Sequence, residues 1–201
     1  MTGDVRITVT RTLSRDQQAR RARLVQAAHA LASEGGYPAV TMHDVADRAG
    51  VARATVYRYF SSKDHLLTEV AADWARVMDD LADVPGADPV ERLRGMLEAL
   101  VAIAADNLPL TSAIVQAATS GDAGVDDARN ELFRYIRERF GAAIDPDRTI
   151  DAVAGVPVDD VEVVIGHVVL AALIGLTTLA RPREEVSAMV GTAARLIMGG
   201  R

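Results

Sequence analysis

The chain has 201 residues, of which 49% are hydrophobic and 25% are charged, as expected for one or two globular domains. It contains no cysteine, which excludes a disulfide framework, a thiolate nucleophile and cysteine-ligated metal, and this fits a cytoplasmic protein. The first twenty residues hold no continuous apolar segment, so we expect no signal peptide in them.

The net charge of −6 is unevenly distributed along the chain. Residues 1–63 carry 10 basic and 5 acidic side chains, a net charge of +5, whereas residues 64–201 carry 12 basic and 23 acidic ones, a net charge of −11. A basic end on an acidic body indicates binding to a polyanion such as DNA. Chance segregation of the charges is the alternative.

Helical periodicity prevails along the chain, and one alternating, strand-like stretch, VRITVT at residues 5–10, stands alone. A first helix with an apolar stripe is predicted over residues 14–33, and Gly35 and Gly36 are suited to end it.

Residues 41–60 have the pattern of a helix-turn-helix motif, two short helices joined by a turn that contains glycine. Thr41 is suited to cap the first of these helices, MHDVADRA, and Gly50 to end it, while the second begins near Arg53. Val56 and Phe60 are four residues apart, so we expect both to point into the core of a three-helix N-terminal domain.

The second helix of this motif carries side chains suited to DNA recognition. Arg53, Ala54, Tyr57 and Arg58 are expected on one face, because residues four apart are neighbours on a helix. In the major groove an arginine can donate two hydrogen bonds to O6 and N7 of guanine, while tyrosine hydroxyls and Thr55 can reach phosphate oxygens. The alternative is that the tyrosine rings cover the core and the arginines face water.

Lys63 is the one lysine of the chain and falls in the first turn of the next predicted helix. A cation there opposes the helix dipole, whereas an arriving DNA phosphate would bind both the lysine and the free amide groups. Thr41 has the corresponding position at its own helix. A solvated lysine is the alternative.

Six further helices complete the prediction of about nine helices and an all-α fold. The fourth is expected to be capped by Ser61, with Asp64 at the third position, and to run to about residue 81. Asp88 and Pro89 begin a fifth. The others are predicted over approximately residues 109–119, 126–143, 159–179 and 183–198.

Residues 163–180 carry no charge and just reach the length of a membrane span. The polar His167 and the acidic flank argue against a span, and a helix that packs on its own domain and on a second subunit must also be apolar all round. We therefore expect no membrane partner and a homodimer formed by the last two helices. The expected interface residues are Val164, Val168, Ala171, Gly175, Met189, Ala193, Leu196 and Ile197.

The stretch ALASEGGYPAVTMHDVADRAGVARATVYRYFSSKDHLL resembles the DNA-binding segment of TetR-family transcriptional regulators over about residues 20–70. It contains, in order, the family's glycine-aromatic pair, a threonine, the Ala-x-x-x-Gly-Val turn, Tyr-x-Tyr-Phe and Ser-Lys. The resemblance implies an all-helical homodimer in which residues 1–62 bind double-stranded operator DNA and residues 63–201 bind a small-molecule effector and the second subunit. The positions matching the family's DNA contacts are Thr41, Arg53, Ala54, Thr55, Tyr57, Tyr59 and Lys63, and Arg58 shares their helix.

Arg6, Arg11 and Arg15 form an N-terminal arm that is long for this family. The arm either enters the adjacent minor groove or is disordered. The segment YRYFSSKDHLL is also similar to the corresponding stretch of actinobacterial repressors of sterol catabolism, although this motif is widely shared within the family.

The resemblance also implies an effector pocket among the middle helices of the second domain. The expected wall residues are Trp74, Met78, Met96, Leu100, Asn107, Phe133, Phe140 and His167. Because few charged residues fall on the inward faces of these helices, we expect a mainly apolar ligand held by one or two polar groups. The implied function is a ligand-responsive repressor that the effector releases from a palindromic operator.

Two other classes of protein are alternatives. An all-helical enzyme would turn over the ligand of the pocket, and an architectural protein without an effector would bind DNA of any sequence. The sequence has no nucleophile with an evident base, no metal-ligand spacing and no glycine-rich phosphate loop, so we predict no catalytic residue, metal or cofactor.

Overall fold

The computed structural model describes residues 14–81, 88–147 and 149–199. Its elements are α1 (Arg15–Ala39), α2 (Met42–Ala49), α3 (Arg53–Tyr59), α4 (Lys63–Ala75), α5 (Val77–Leu81), α6 (Pro89–Asp106), α7 (Leu108–Ala118), a 3-10 turn (Ala123–Val125), α8 (Asp126–Ile144), β1 (Ala152–Val153), β2 (Val156–Pro157), α9 (Val158–Thr177) and α10 (Arg183–Ile197).

The predicted all-α class is confirmed, with three local differences. The first helix was expected over residues 14–33, but α1 extends to Ala39, with non-helical φ and ψ at Gly35 and Gly36. The fourth predicted helix is divided at Arg76 into α4 and α5. The strands β1 and β2 form an antiparallel hairpin that the periodicity did not predict. Its two-residue turn has positive φ at Ala154 and Gly155, 51° and 83°, the conformation that hairpin turns require. The segment VRITVT lies outside the described residues.

Side-chain caps fix the starts of the helices that border the DNA-binding segment. The hydroxyl of Thr41 accepts a hydrogen bond from the Asp44 amide at 3.1 Å, as predicted for α2. For α4 the predicted cap was wrong by one residue, because Ser62 rather than Ser61 accepts from the His65 amide, at 3.1 Å. Ser61 instead contacts the His65 ring.

Two hydrophobic cores lie along the molecule. The first joins α1–α4 to α7, and includes Val56, Phe60, Leu66, Leu67, Leu110 and Ile114. The second joins α5, α6, α8, α9 and α10, and includes Met78, Leu93, Phe140, Ile165 and Val190. Helix α4 contributes to the first core over most of its length, so this core extends past residue 62, the expected domain boundary. Trp74 and Ile136 pack against both cores and mark the seam between them.

Helix α9 is long and apolar enough to cross a membrane by length and composition, and the bent pair of α6 and α7 passes the same test as a unit. Here α9 packs against α7, α8 and α10 with side chains such as Ile165 and Val169 inside the second core. Such packing gives the apolar composition a role in a folded core.

The turn between α2 and α3 depends on the left-handed conformation of Gly50, with φ 66° and ψ 40°. A side chain there would meet no steric obstacle, since no atom would lie within 4 Å of an added Cβ, so the cost of a substitution is conformational. We expect Gly50→Ala to lower the free energy of unfolding by about 1–2 kcal/mol, and Gly50→Asn by less, because asparagine tolerates this conformation. Urea denaturation measures both.

Gly121→Ala is the matched control. Gly121 also has open space around it and no positive φ, so alanine there should leave stability unchanged or slightly raised. Equal effects of the two alanine substitutions would contradict a conformational requirement at Gly50.

Candidate nucleic-acid interface

Helix α3 presents one face to its core and the opposite face to solvent. Val56 and Phe60 are fully buried, as predicted from their spacing. Arg53, Tyr57 and Arg58 are exposed, with Ala54 beside them, and 47% of the Tyr57 surface is accessible. A seven-residue helix thus offers cations and an aromatic hydroxyl on a rigid, core-anchored support.

Arg53 and Tyr57 form a pair on the exposed face. The Arg53 guanidinium donates to the Tyr57 hydroxyl at 3.3 Å and lies 5.5 Å from the centre of its ring. The hydrogen bond to Tyr57 raises the pKa of Arg53 further above its usual value. The arginine is therefore fully charged and partly oriented before any ligand arrives.

Tyr59 is oriented differently from the prediction. Its hydroxyl is buried and has no hydrogen-bond partner within the described part of the chain, while its ring packs against the first core under the Arg58 guanidinium, at 5.4 Å. Position 59 follows Val56 by three residues and therefore shares its inward side of the helix. Phosphate contact by Tyr59 does not fit this conformation. Thr55 is half-buried at the edge of the face.

Thr41 and Lys63 flank the exposed face of α3 at the starts of α2 and α4. Thr41 is exposed and donates to the Asp44 carboxylate at 2.5 Å while it caps α2. The Lys63 ammonium lies 3.6 Å from the centre of the Tyr37 ring, and partial burial lowers its pKa. Both positions leave a polar group beside a helix N-terminus, where anions are favoured.

Asp64 connects the DNA-binding segment to the rest of the molecule. One carboxylate oxygen accepts a hydrogen bond from the Tyr37 hydroxyl at 2.6 Å, and the other accepts from the Ser120 hydroxyl at 2.5 Å. Tyr37 belongs to the last turn of α1, whereas Ser120 follows α7, whose loop is also held by Arg129. A single carboxylate therefore connects the start of α4 by hydrogen bonds to the end of α1 and to the loop after α7.

A cavity of about 110 Å³ lies at the seam between the two cores, enclosed by helices α4 to α9. Five of the eight predicted wall residues line it, namely Trp74, Met78, Leu100, Phe133 and His167. The other three have different positions, which corrects the prediction. Met96 and Phe140 are fully buried in the second core, and Asn107 caps α7 by accepting from the Leu110 amide at 3.2 Å.

Several wall residues were not predicted from the sequence, and Arg137 is the charged one among them. This arginine of α8 is half-buried at the mouth of the cavity, near the exposed Val163 and His167 of α9. Other missed residues are Ile114, Val115, Leu132, Ile136, Val169 and Leu173. Helical periodicity indicates which side of a helix faces inward, but it carries no information about which inward faces meet around a cavity.

The outer face of α9 and α10 carries large apolar side chains. Val164 is 49% exposed, Met189 43% and Leu196 74%, and Ala171 is also exposed. The remaining predicted interface residues are less accessible: Val168, Ala193 and Ile197 are half-buried, and Gly175 is buried. A Cβ added at Gly175 would lie 3.5 Å from Val186, so this position faces α10 of its own chain.

Comparison with known proteins identifies the family. Residues 24–70 match the profile of bacterial regulatory proteins of the tetR family. The chain is also 35% identical over 192 residues to the HTH-type transcriptional repressor KstR of Mycobacterium tuberculosis (strain ATCC 25618 / H37Rv), covering 92% of this chain and 84% of that one. The chain belongs to the TetR family. It is accordingly a transcriptional regulator with a DNA-binding helix-turn-helix, and not an enzyme.

Solved TetR-family structures share the fold. A TetR transcriptional regulator from Rhodococcus sp. RHA1 superposes with a TM-score of 0.81 at 24% identity, covering 92% of this chain and 98% of that one. Thermus thermophilus FadR, a repressor solved in complex with lauroyl-CoA, superposes with a TM-score of 0.72 at 18% identity, covering 90% and 94%. At these identities the likeness concerns the arrangement of the helices.

The contact between Asp64 and Tyr37 has a measurable consequence. The hydrogen bond to the Asp64 carboxylate, with some help from burial, raises the pKa of Tyr37 from 10.0 to about 12. We expect Asp64→Asn to return this pKa towards 10, because the neutral amide no longer opposes the phenolate. An alkaline titration followed by tyrosinate absorbance measures the shift.

The raised pKa of Tyr37 makes the stability contributed by this contact depend on pH. Because the folded-state pKa is raised, the contact contributes its full stability below about pH 10, and this contribution is lost as the pH rises through about 12. Tyr37→Phe is the control, since it removes this titration. An unchanged titration in Asp64→Asn would mean that Asp64 does not hold the tyrosine in solution.

Proposed function

We propose that this TetR-family protein is a ligand-responsive repressor that acts in the cytoplasm, binds a palindromic operator as a homodimer, and leaves it when a mainly apolar small molecule occupies the seam cavity. The observation that carries the proposal is the oriented Arg53–Tyr57 pair on the exposed face of α3. The name of the KstR relative, a transcriptional repressor, supports the direction of regulation.

In the proposed complex α3 lies in the major groove. Arg53 reads a guanine edge, Ala54 contacts a thymine methyl, and Arg58 reaches an adjacent base or phosphate. The hydroxyls of Thr41, Thr55 and Tyr57 and the ammonium of Lys63 bind phosphates and fix the register of α3. Partial burial disfavours the charged form of Lys63 and lowers its pKa, and a phosphate partner would offset this effect by favouring the charged form.

Dimerisation through α9 and α10 would give the two α3 helices a fixed spacing. A palindromic operator is read when that spacing matches half-sites about 34–36 Å apart. The exposed Val164, Met189 and Leu196 support this interface, because large apolar side chains on two adjacent helices are costly to leave in water. Val168, Ala171, Ala193 and Ile197 belong to the same proposed face.

The effector would act by separating the two cores. The cavity of about 110 Å³ is smaller than the roughly 300–1,000 Å³ of a typical ligand pocket, so a drug-sized ligand must displace wall residues such as Trp74 and Phe133. Trp74 lies on α4, whose first turn carries Lys63 and Asp64, and the displacement would therefore reorient the DNA-binding segment. For regulation, the effector must bind the DNA-released state more tightly than the DNA-binding state, by about 1–3 kcal/mol. The acyl chain of the lauroyl-CoA held by Thermus thermophilus FadR supports an effector with a long apolar part.

Removing the guanidinium of Arg53 tests the DNA-reading role. We expect Arg53→Ala to weaken binding to the cognate operator by about 1–3 kcal/mol and to relax the preference at one base pair, since bidentate contacts to guanine are lost. Fluorescence anisotropy on duplex DNA flanking the protein's own gene, against a scrambled duplex and across a salt series, measures both quantities.

Two variants serve as references in that experiment. Lys63→Ala should weaken binding to all sequences alike and reduce the salt slope by about 1, as for a phosphate contact. Arg76→Ala removes an exposed arginine at the far end of α4 and should have no effect. Equal loss on all sequences in Arg53→Ala would restrict that residue to the DNA backbone, and no preference of the unmodified protein for any operator would contradict the repressor function.

A charge on the apolar face of α10 tests the dimer. We expect Leu196→Glu to convert the protein to a monomer and to weaken operator binding, because an unpaired carboxylate would be buried between the subunits. Light scattering after size-exclusion chromatography measures the mass. Leu108→Glu is the control, since Leu108 is similarly apolar, 44% exposed, and lies away from α9 and α10 at the start of α7. A dimeric Leu196→Glu protein would rule out this interface.

A further inference from the structure

Arg137 is the one strongly charged side chain among the residues that line the seam cavity. The rest of the lining is apolar apart from the His167 ring, whose Nδ1 is engaged by the Val163 carbonyl at 2.8 Å. Arg137 is half-buried, and it forms no hydrogen bond or ion pair with any residue in the described segments 14–81, 88–147 and 149–199. A cation in such a wall is expensive to desolvate unless an anion joins it.

The neighbouring arginine of the same helix has ordinary surface partners. Arg134 lies 2.7 Å from the Glu138 carboxylate and 3.8 Å from that of Glu131. The difference follows from position, because Arg134 does not line the cavity whereas the aliphatic stem of Arg137 passes over Gly166 of α9, with 4.0 Å between its Cγ and a Cβ added there. Gly166 of α9 is thus a neighbour of the arginine stem at the mouth.

Arg137 also stands where two differently composed surfaces meet. Phe133 and Arg137 line both the apolar cavity and a shallow groove on the outer side of α8, whose other walls are Asn130, Glu131 and Arg134. A molecule with an apolar body inside and a polar head in the groove would have its junction at the guanidinium. Arginine is suited to carboxylate and phosphate groups because its planar fork donates two parallel hydrogen bonds.

From these observations we infer that Arg137 anchors the anionic head of the effector, and that the effector is therefore an amphiphilic anion, with a carboxylate or phosphate at the cavity mouth, rather than a neutral apolar molecule. This inference rests on the proposed role of the cavity as the effector site. The anionic group has two chemical sources, a free carboxylic acid or the phosphates of a thioester conjugate, and the choice of probes separates them.

The test compares anionic and neutral versions of the same apolar body. Saturated fatty acids from octanoate to palmitate, and one sterol carboxylic acid, are titrated against the full-length protein by calorimetry and by release of operator DNA, in parallel with their methyl esters. The corresponding coenzyme A thioesters and coenzyme A alone form the second arm. We expect an acid or a thioester to bind and release DNA at least tenfold more tightly than the matching ester. Coenzyme A alone should bind weakly because it lacks the apolar body.

The variants decide whether Arg137 is responsible. Arg137→Gln should lose at least tenfold in affinity for the anionic probe, retain its affinity for the ester, and bind operator DNA normally. Arg137→Lys should restore most of the preference for the anion, whereas Arg134→Gln, which changes a charge outside the cavity, should keep it. A merely structural role of Arg137 would weaken the acid and the ester alike.

Three results would overturn the inference. The first is equal binding of acid and ester by the unmodified protein, and the second is an unchanged preference in Arg137→Gln. The third is the absence of binding by every anionic probe while the protein still binds its operator. In each case intact, sequence-specific operator binding would leave the proposed repressor function standing, whereas loss of operator recognition in the unmodified protein would contradict that function itself.

Discussion

The structure depends most on helix α4, which is shared between the DNA-binding segment and the rest of the chain. Its Leu66 and Leu67 are fully buried in the core that also holds Val56 and Phe60 of the helix-turn-helix. Its last turn reaches the seam with the second core through Trp74. Because protein interiors are close-packed, a helix anchored in this way moves as a unit or not at all. A displacement of α4 at the seam would therefore also displace its first turn.

Polar contacts also connect the start of α4 to neighbouring parts of the chain. Asp64 accepts hydrogen bonds from Tyr37 and from Ser120, and the Lys63 ammonium lies over the Tyr37 aromatic ring. The pKa of Asp122, in the loop that follows Ser120, is lowered by a hydrogen bond from Ser62 and by the Gly124 amide. These contacts join the loop after α7 to the same turn whose lysine faces the proposed DNA backbone. In the proposed mechanism, effector occupancy and DNA binding would favour different arrangements of these residues.

The DNA-binding segment and the seam cavity differ in the charge and polarity of their side chains. Residues 1–63 carry a net charge of +5, and the exposed Arg53 and Arg58 of α3 are available to a polyanion such as DNA. The seam cavity is apolar and offers one guanidinium at its mouth. Both sites would bind anions, but the first reads an extended, regularly charged polymer and the second a single head group on an apolar body. That difference in shape would let one protein distinguish the two proposed ligands.

Local patterns in the sequence were sufficient for the class of fold, for most helix boundaries and for which side of α3 is exposed. The spacing of Val56 and Phe60, the left-handed turn at Gly50 and the cap at Thr41 depend only on residues within a few positions of each other. Arg53 and Tyr57 followed for the same reason, since residues four apart on a helix are neighbours whatever surrounds them.

The tertiary structure decided what depends on contacts between distant segments. The Tyr59 hydroxyl is buried, and Asn107 caps a helix. Met96 and Phe140 lie in a packed core and do not line the cavity. The junction at Asp64 joins residues 27 and 56 positions away, and the position of Arg137 at the cavity mouth depends on the packing of α8 against α9. Helical periodicity determines which side of a helix is buried, but the packing of several helices determines what each buried side meets.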